Sequence, residues 1–403
     1  MSLEHNEQIN NVPRSKRVYI CADRRFPHGD AGGNRIEYMA HCMQSKGIQP
    51  VVISMSEDSA EYNGKLFLEY QGILYHNVVL KCGKIGITQQ YFYLGIQVGR
   101  VLKAADVAEG SVVIIYSSNP VFCSQVRKYI PARCKLVYDV VEWFDDSCYK
   151  YGKLDPRFWV FQWCFNAVYP KSHGIIAISN NIEQYFLSLR KNVFRFPICL
   201  DVDKFSHVER TLLRDRVRLI YPGNPQNKDD IRTMINAIRQ LDQKELEQIE
   251  LHFTAVKKKT IECLLEEDFG ILLELGNHVV FHDWMTYEEL LRLYGSVDVL
   301  YMLRLDNLVT KSNFPSKVPE LLSCGVAVMS NDIGDFFKYL SDGVDAIKIE
   351  SRDVSGCVDA LRRYLNMDEK ARKQMSEAAI RCAKAKFNYT GYAQELVDYL
   401  GNL

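Results

Sequence analysis

The sequence predicts an α/β protein built from two doubly wound, parallel sheets in tandem. Three observations carry that prediction. Short β-branched runs alternate with helical patterns along almost the whole chain, which marks a parallel sheet covered on both faces. The alternation stops near residues 197–210 and then restarts, so there are two such units. The length of 403 residues suits two domains.

The elements follow in order. Arg17–Ala22 reads as the first strand, and a glycine-containing loop follows it. In 34–46, Ile36, Met39, Ala40 and Met43 recur at helical spacing, and Gly47 stands where a helix ends. Val51–Ile53 is a second strand, and further strand is expected within 65–81. Val112–Tyr116 is a buried strand, and Asn119-Pro120 opens a helix. Strands follow at Leu136–Val141 and Ile175–Ile178, the latter with Ser179 and Asn180 capping the next helix. The second series has strands at 217–221, 250–254, 278–282, 297–303, 326–330 and 346–349. A helix is expected over 229–242, and Thr286-Tyr287-Glu288-Glu289 is a capping box. Helical pattern runs from about 353 to 402 with a break at 387–391. Phe158–Phe165 is rich in aromatics; it could hold lipid or a sugar ring, but the strand at 175 needs a covering partner, so a buried helix is the preferred reading.

Composition narrows the function classes. Apolar residues are 47% and charged residues 25%, which excludes a disordered chain. No run approaches the ~18 apolar residues of a spanning helix, and the N-terminus shows no secretory signal. Fifty basic and fifty acidic residues argue against a nucleic-acid binder. The charge is uneven, however: residues 1–200 carry 23 Lys/Arg against 17 Asp/Glu, so the first half leans towards an anionic partner. None of the twelve cysteines falls in zinc spacing, which predicts a reduced, cytoplasmic chain.

Ligands of such sheets bind beyond the carboxyl ends of the strands, so the loops there hold the candidate residues. Gly32-Gly33 lets backbone approach a ligand, the following helix offers N–H groups to an anion, and Arg24, Arg25 and Arg35 cluster beside it. Glu142, at the end of its strand, could serve as a base or orient a hydroxyl, whereas Asp145 and Asp146 read as caps. Gly223 followed by Lys228 suits a diphosphate. Ser312-Asn313-Phe314-Pro315-Ser316 precedes a helix on which Lys317 and Glu320 share a face. Glu320 could bind ribose hydroxyls and Lys317 a phosphate, although a simple i,i+3 ion pair explains that spacing equally well.

Several of these segments together resemble one family. Phe314-Pro315-Ser316-Lys317-x-x-Glu320, with Gly325-x-Ala327-Val328 and Asn331-Asp332-Ile333-Gly334, is similar to the signature of retaining, GT-B-fold glycosyltransferases of family 4, of the capsule and polysaccharide-assembly kind. Cys199–Phe205, Tyr221–Lys228, Phe281–Leu290 and residues 368–401 resemble its interdomain stretch, phosphate loop, base-binding strand end and C-terminal helices. The resemblance implies two Rossmann-like domains facing a cleft, with C-terminal helices crossing back to the first. Expected boundaries are 1–16 for a disordered or added N-terminus, 17–200 for the acceptor domain, 201–386 for the nucleotide-sugar domain and 387–403 for the returning helix.

The resemblance implies roles as well. Lys228 would meet the donor diphosphate and Glu320 its ribose. His282 and Trp284 would border the base, and Gly223, Asn224, Ser312, Asn313, Phe314, Ser316 and Lys317 complete the donor site. Gly32, Gly33 and Arg35 would face the donor phosphates or the acceptor from the first domain. The sequence departs from the family at Ser312, where a glutamate is usual, at Asn224 in place of an arginine, and at Val141-Glu142, where a histidine is common. Glu142 and Lys228 are therefore the candidate catalytic residues. The expected reaction is sugar transfer with retention from a UDP- or GDP-type donor to a saccharide or polyprenyl-diphosphate-linked acceptor. No metal or other cofactor is expected, and a peripheral contact with the inner membrane face is a candidate. A nucleotide-sugar epimerase, a sugar phosphorylase and a non-catalytic binder are the alternatives.

Overall fold

The computed structural model describes residues 16–27, 30–56, 61–81, 83–211, 216–225 and 228–403. The expected N-terminal segment lies outside the described residues except for Lys16, as do His28-Gly29 and Gln226-Asn227 of the two glycine loops. The chain divides into two units. One holds the chain up to Leu200 together with Tyr389–Leu403, and the other holds Asp201–Asn388.

The first unit is one eight-stranded sheet. Its strands are β1 (Arg17–Arg25), β2 (Gln49–Ser56), β3 (Leu68–Tyr70), β4 (Ile73–Val79), β5 (Val112–Tyr116), β6 (Lys135–Val140), β7 (Gly174–Ala177) and β8 (Asn192–Arg195). They lie in the order β3-β4-β2-β1-β5-β6-β7-β8, and only β3–β4 is antiparallel. All five residues of β5 are buried, as expected of a central strand with helices on both faces. The helices are α1 (Ala31–Gln44), α2 (Gly83–Phe92), α3 (Leu94–Ala104), α4 (Pro120–Arg127), α5 (Pro156–Trp163) and α6 (Asn180–Ser188). On α1 the predicted stripe of Ile36, Met39, Ala40 and Met43 is buried. Asn119 caps α4 by accepting from Val121 and Phe122 N–H, and Ser179 caps α6 by accepting from Ile182 N–H. The aromatic stretch is only half core. Phe158, Phe161 and Phe165 are buried, but Trp159 and Trp163 stand mostly in solvent.

The second unit is a six-stranded, wholly parallel sheet. Its strands are β9 (Val217–Pro222), β10 (Ile249–Thr254), β11 (Val279–Phe281), β12 (Val299–Met302), β13 (Ala327–Asn331) and β14 (Ala346–Ile349), ordered β11-β10-β9-β12-β13-β14. The main helices are α7 (Ile231–Arg239), α8 (Gln243–Glu247), α9 (Lys258–Leu265), α10 (Ile271–Leu275), α11 (Tyr287–Ser296), α12 (Leu308–Ser312), α13 (Lys317–Ser323), α14 (Phe336–Tyr339), α15 (Val354–Leu365) and α16 (Glu369–Lys386). The Thr286–Glu289 capping box forms at the start of α11 with both reciprocal bonds. Residues 368–386 belong to the second unit, where α16 packs on α13.

The return is made by α17 (Ala393–Gly401), which packs on α1. Leu396 is fully buried there, a contribution of about 1.5–3 kcal/mol. The Tyr399 hydroxyl donates to the carbonyls of Ile175 (3.0 Å) and Asn192 (3.2 Å), so the tail is fastened across β7 and β8. The described cysteines are all free thiols, most of them buried. No described helix is long and apolar enough to cross a membrane.

Candidate functional site

In each sheet the strand order reverses direction at one point, where the loops part and leave room for a ligand. In the second unit this point lies between β9 and β12. The loop after β9 carries Gly223, Asn224 and Lys228, and the segment after β12 carries Arg304, Ser312 and Asn313. Gly223 has φ +104°, a conformation side chains resist, and its N–H donates to Thr254 O at 2.9 Å. Asn224 is exposed and Lys228 half-buried. The two loops are laced together by backbone: Leu305 N–H donates to Lys228 O (2.9 Å) and Asp230 N–H to Leu303 O (2.8 Å).

Arg304 anchors this lacing, and the sequence reading passed over it. It is buried 3.3 Å from the carboxylate of Asp229, and its Nη2 donates to Asn313 Oδ1 at 2.6 Å. Asp229 also accepts from the Tyr221 hydroxyl at 2.5 Å. Burial raises the Asp229 pKa, and Arg304 opposes that shift. A charged residue directly after an apolar strand was the signal that could have found Arg304.

The rest of the expected donor set is placed as follows. Ser312 ends the short helix α12 and is fully buried. Phe314 corrects an expectation: its ring packs against Phe336, Tyr339 and Phe387 at 5.1–5.6 Å, so the side chain serves the core rather than a ligand. Ser316 is the residue before α13 and makes no side-chain cap bond. Lys317 Nζ lies 2.8 Å from Glu320 Oε2, so the i,i+3 pair exists in this state. At the edge strand, His282 lies flat on His252, with His252 Nδ1 2.8 Å from His282 Nε2. Burial, reinforced by His282, pushes His252 down to about 4. Burial and Arg218 also lower His282. Both rings are thus pushed towards the neutral form. Trp284 is 91% exposed.

In the first unit the reversal lies between β1 and β5. Here the structure corrects two expectations. The N–H groups of Gly32 and Gly33 are not open to an anion, because Asp30 Oδ1 accepts from both at 2.9 and 3.4 Å. A Cβ on Gly33 would lie 2.6 Å from Arg25 O, so this glycine is needed for helix-on-strand packing. Arg35 is not a phosphate ligand either. It is buried, its Nε and Nη2 meet the two oxygens of Asp139 at 2.8 Å each, and its Nη1 donates to Pro197 O at 3.0 Å. Its charge is therefore spent inside the unit.

What remains at these strand ends is polar. Asp23, buried at the end of β1, accepts from the Ser117 hydroxyl at 2.7 Å and pairs with Arg24 at 3.3 Å. Burial raises the Asp23 pKa, with Arg24 opposing. Burial, then Asp139, pushes the Tyr116 phenol up, and Glu142 adds to that shift. Glu142 thus stands near Tyr116, half-buried beyond β6.

Residues 216–367 match the family described as glycosyl transferases group 1. No curated protein matches the chain in sequence. Among solved structures, the chain is similar to sucrose-phosphate synthase from Thermosynechococcus elongatus (TM-score 0.69, 14% identity, covering 96% of this chain and 98% of that one). It is similar to an E. coli trehalose-6-phosphate protein bound with UDP-2-fluoro glucose (TM-score 0.70, 10% identity, 96% and 99%). It is also similar to Anabaena HepE in complex with UDP and glucose (TM-score 0.61, 15% identity, 96% and 99%). The chain therefore has the two-sheet GT-B fold of these proteins, and within it residues 216–367 match the model of the glycosyl transferases group 1 family.

Proposed function

We propose that the protein is a retaining, metal-independent glycosyltransferase that moves a sugar from a nucleoside-diphosphate donor to an acceptor hydroxyl in polysaccharide or glycolipid assembly. The observation that supports this reading is the reversal of strand order between β9 and β12 inside the family-matched stretch, with Lys228 on the loop after β9 and Glu320 on α13. The unit spanning 201–388 takes the donor. A departing diphosphate gains negative charge, and a cation already held in place stabilises it without reorganisation. Arg304, bound to Asp229, fixes the loop that carries Lys228. Glu320 releases Lys317 and accepts the two ribose hydroxyls, which leaves Lys317 for a phosphate. The base lies beside His282 and Trp284. The first unit takes the acceptor, with Glu142 accepting a hydrogen bond from the attacking hydroxyl. UDP is the first nucleotide to try, because two of the similar structures hold UDP compounds.

Titration calorimetry with UDP, GDP and ADP tests this reading. One of them should bind, and Glu320→Ala should weaken that binding about tenfold or more through loss of charged hydrogen bonds. Equal affinity in the variant would remove Glu320 from the site, and silence with all three nucleotides would remove the donor reading itself.

A further inference from the structure

The first unit carries an apolar surface that its own chain does not cover. Helix α2 is almost wholly exposed, yet Ile85 (61%), Ile87 (68%) and Phe92 (50%) lie on it, and Tyr93 (57%) follows. Exposed large apolar groups gathered this closely are unusual on a soluble surface. The segment is held at the strand ends that face the acceptor loops: Gln90 Nε2 donates to Asp23 O (3.2 Å) and Asn119 Nδ2 to Tyr91 O (2.9 Å). Both α2 and α5 pack against α4. Helix α5 and the turn before it add Leu154 (88%), Trp159 (60%) and Trp163 (53%).

The charge around this surface is one-sided. No acidic residue occurs between Glu69 and Asp106, whereas Lys81, Lys84, Arg100 and Lys103 do. Around α5, Lys150 and Lys153 flank the exposed groups; of the acids there, Asp155 is buried and paired with Arg157 at 2.6 Å, and Asp145 and Asp146 are half-buried in the preceding turn. Ile85 and Ile87 are two residues apart and so point to different sides of the helix. A protein partner seated on one side would leave the other wet, whereas immersion in a lipid interface covers both.

We propose that α2, with the α5 edge beside it, docks the first unit onto an anionic lipid bilayer. The apolar groups enter the interface and the lysines meet the headgroups. Such docking needs no donor and stands or falls independently of the transfer reaction.

Flotation of the full chain with phosphatidylcholine vesicles, with and without phosphatidylglycerol, tests this. The wild type should float with the anionic vesicles, less so as salt is raised, and little with the neutral ones. Changing Ile85→Asn, Ile87→Asn and Phe92→Ser together should cut that partitioning about tenfold or more. These side chains are exposed, so circular dichroism and melting should be unchanged. Leu273→Asn, at an equally exposed leucine of the second unit, should float like the wild type. On binding, acrylamide should lose access to Trp159 and Trp163 while Trp284 stays quenchable. Absence of flotation, or a triple variant that floats as well as the wild type, overturns the proposal. So does a concentration-dependent dimer abolished by the triple change with no vesicle binding, which would assign the surface to a second copy of the chain.

Discussion

Replacing Lys228 by alanine is expected to lower kcat/KM for sugar transfer by about 10²–10³-fold, or ~3–4 kcal/mol of transition-state stabilisation. The reason is electrostatic: the leaving diphosphate would lose the one lysine that its crevice loop presents. The loop itself should survive, because it is held through backbone: Lys228 N–H donates to Pro225 O (3.1 Å) and Lys228 O accepts from Leu305 N–H. Melting temperature should therefore barely move. Lys228→Arg keeps the charge and should recover part of the rate. Steady-state kinetics with donor and acceptor check this, and a Lys228→Ala enzyme working at near the wild-type rate would remove the residue from the mechanism.

The second large effect is on stability. Arg35→Ala leaves the buried carboxylate of Asp139 without its bidentate partner, which should cost the first unit about 3–5 kcal/mol. For a unit of this size that is a fall in melting temperature on the order of 10 °C. Removing both charges together, as Arg35→Met with Asp139→Leu, should restore much of the loss, because no unpaired ion is then left inside. Differential scanning calorimetry of the single and double variants tests the pair. A single variant that melts within a degree or two of the wild type would show that the ion pair does not hold this core. If Arg35 bound phosphate instead, its loss would appear in donor or acceptor affinity with stability intact.

These two residues also show what a sequence exposes and what it conceals. Lys228 was singled out on a local pattern: a strand, a glycine turn and a lysine lie within a few residues of one another. Arg35 looked like an anion ligand for the same local reason, standing beside two glycines at a helix start. Its actual partner, Asp139, is 104 residues away and sits inside an apolar strand, where a lone acid is itself a sign of a buried cation. Strands β5 and β12 were legible as continuous apolar runs, and β6 and β9 as apolar runs interrupted by Asp139 and Arg218. Helix α2 was not, since its polar and exposed residues form no buried stripe, and α3 was passed over although Leu94, Val98 and Leu102 recur at helical spacing. Phe158–Phe165 reads as one aromatic block, and only the turn of the helix separates the inward Phe161 from the outward Trp159 and Trp163. The resemblance to glycosyltransferases marked Phe314 as part of a motif, but a motif does not say which way a ring points.

The first unit takes its last helix from the far end of the chain, and this sets an order of events during synthesis. Residues 201–388 are contiguous and can close their sheet as soon as they leave the ribosome. The earlier half, though made first, packs α1 on its sheet but lacks the α17 side of that core until Leu396 and Tyr399 emerge. The later lobe can therefore be complete before the earlier one, whose core closes only once residues 389–403 have followed.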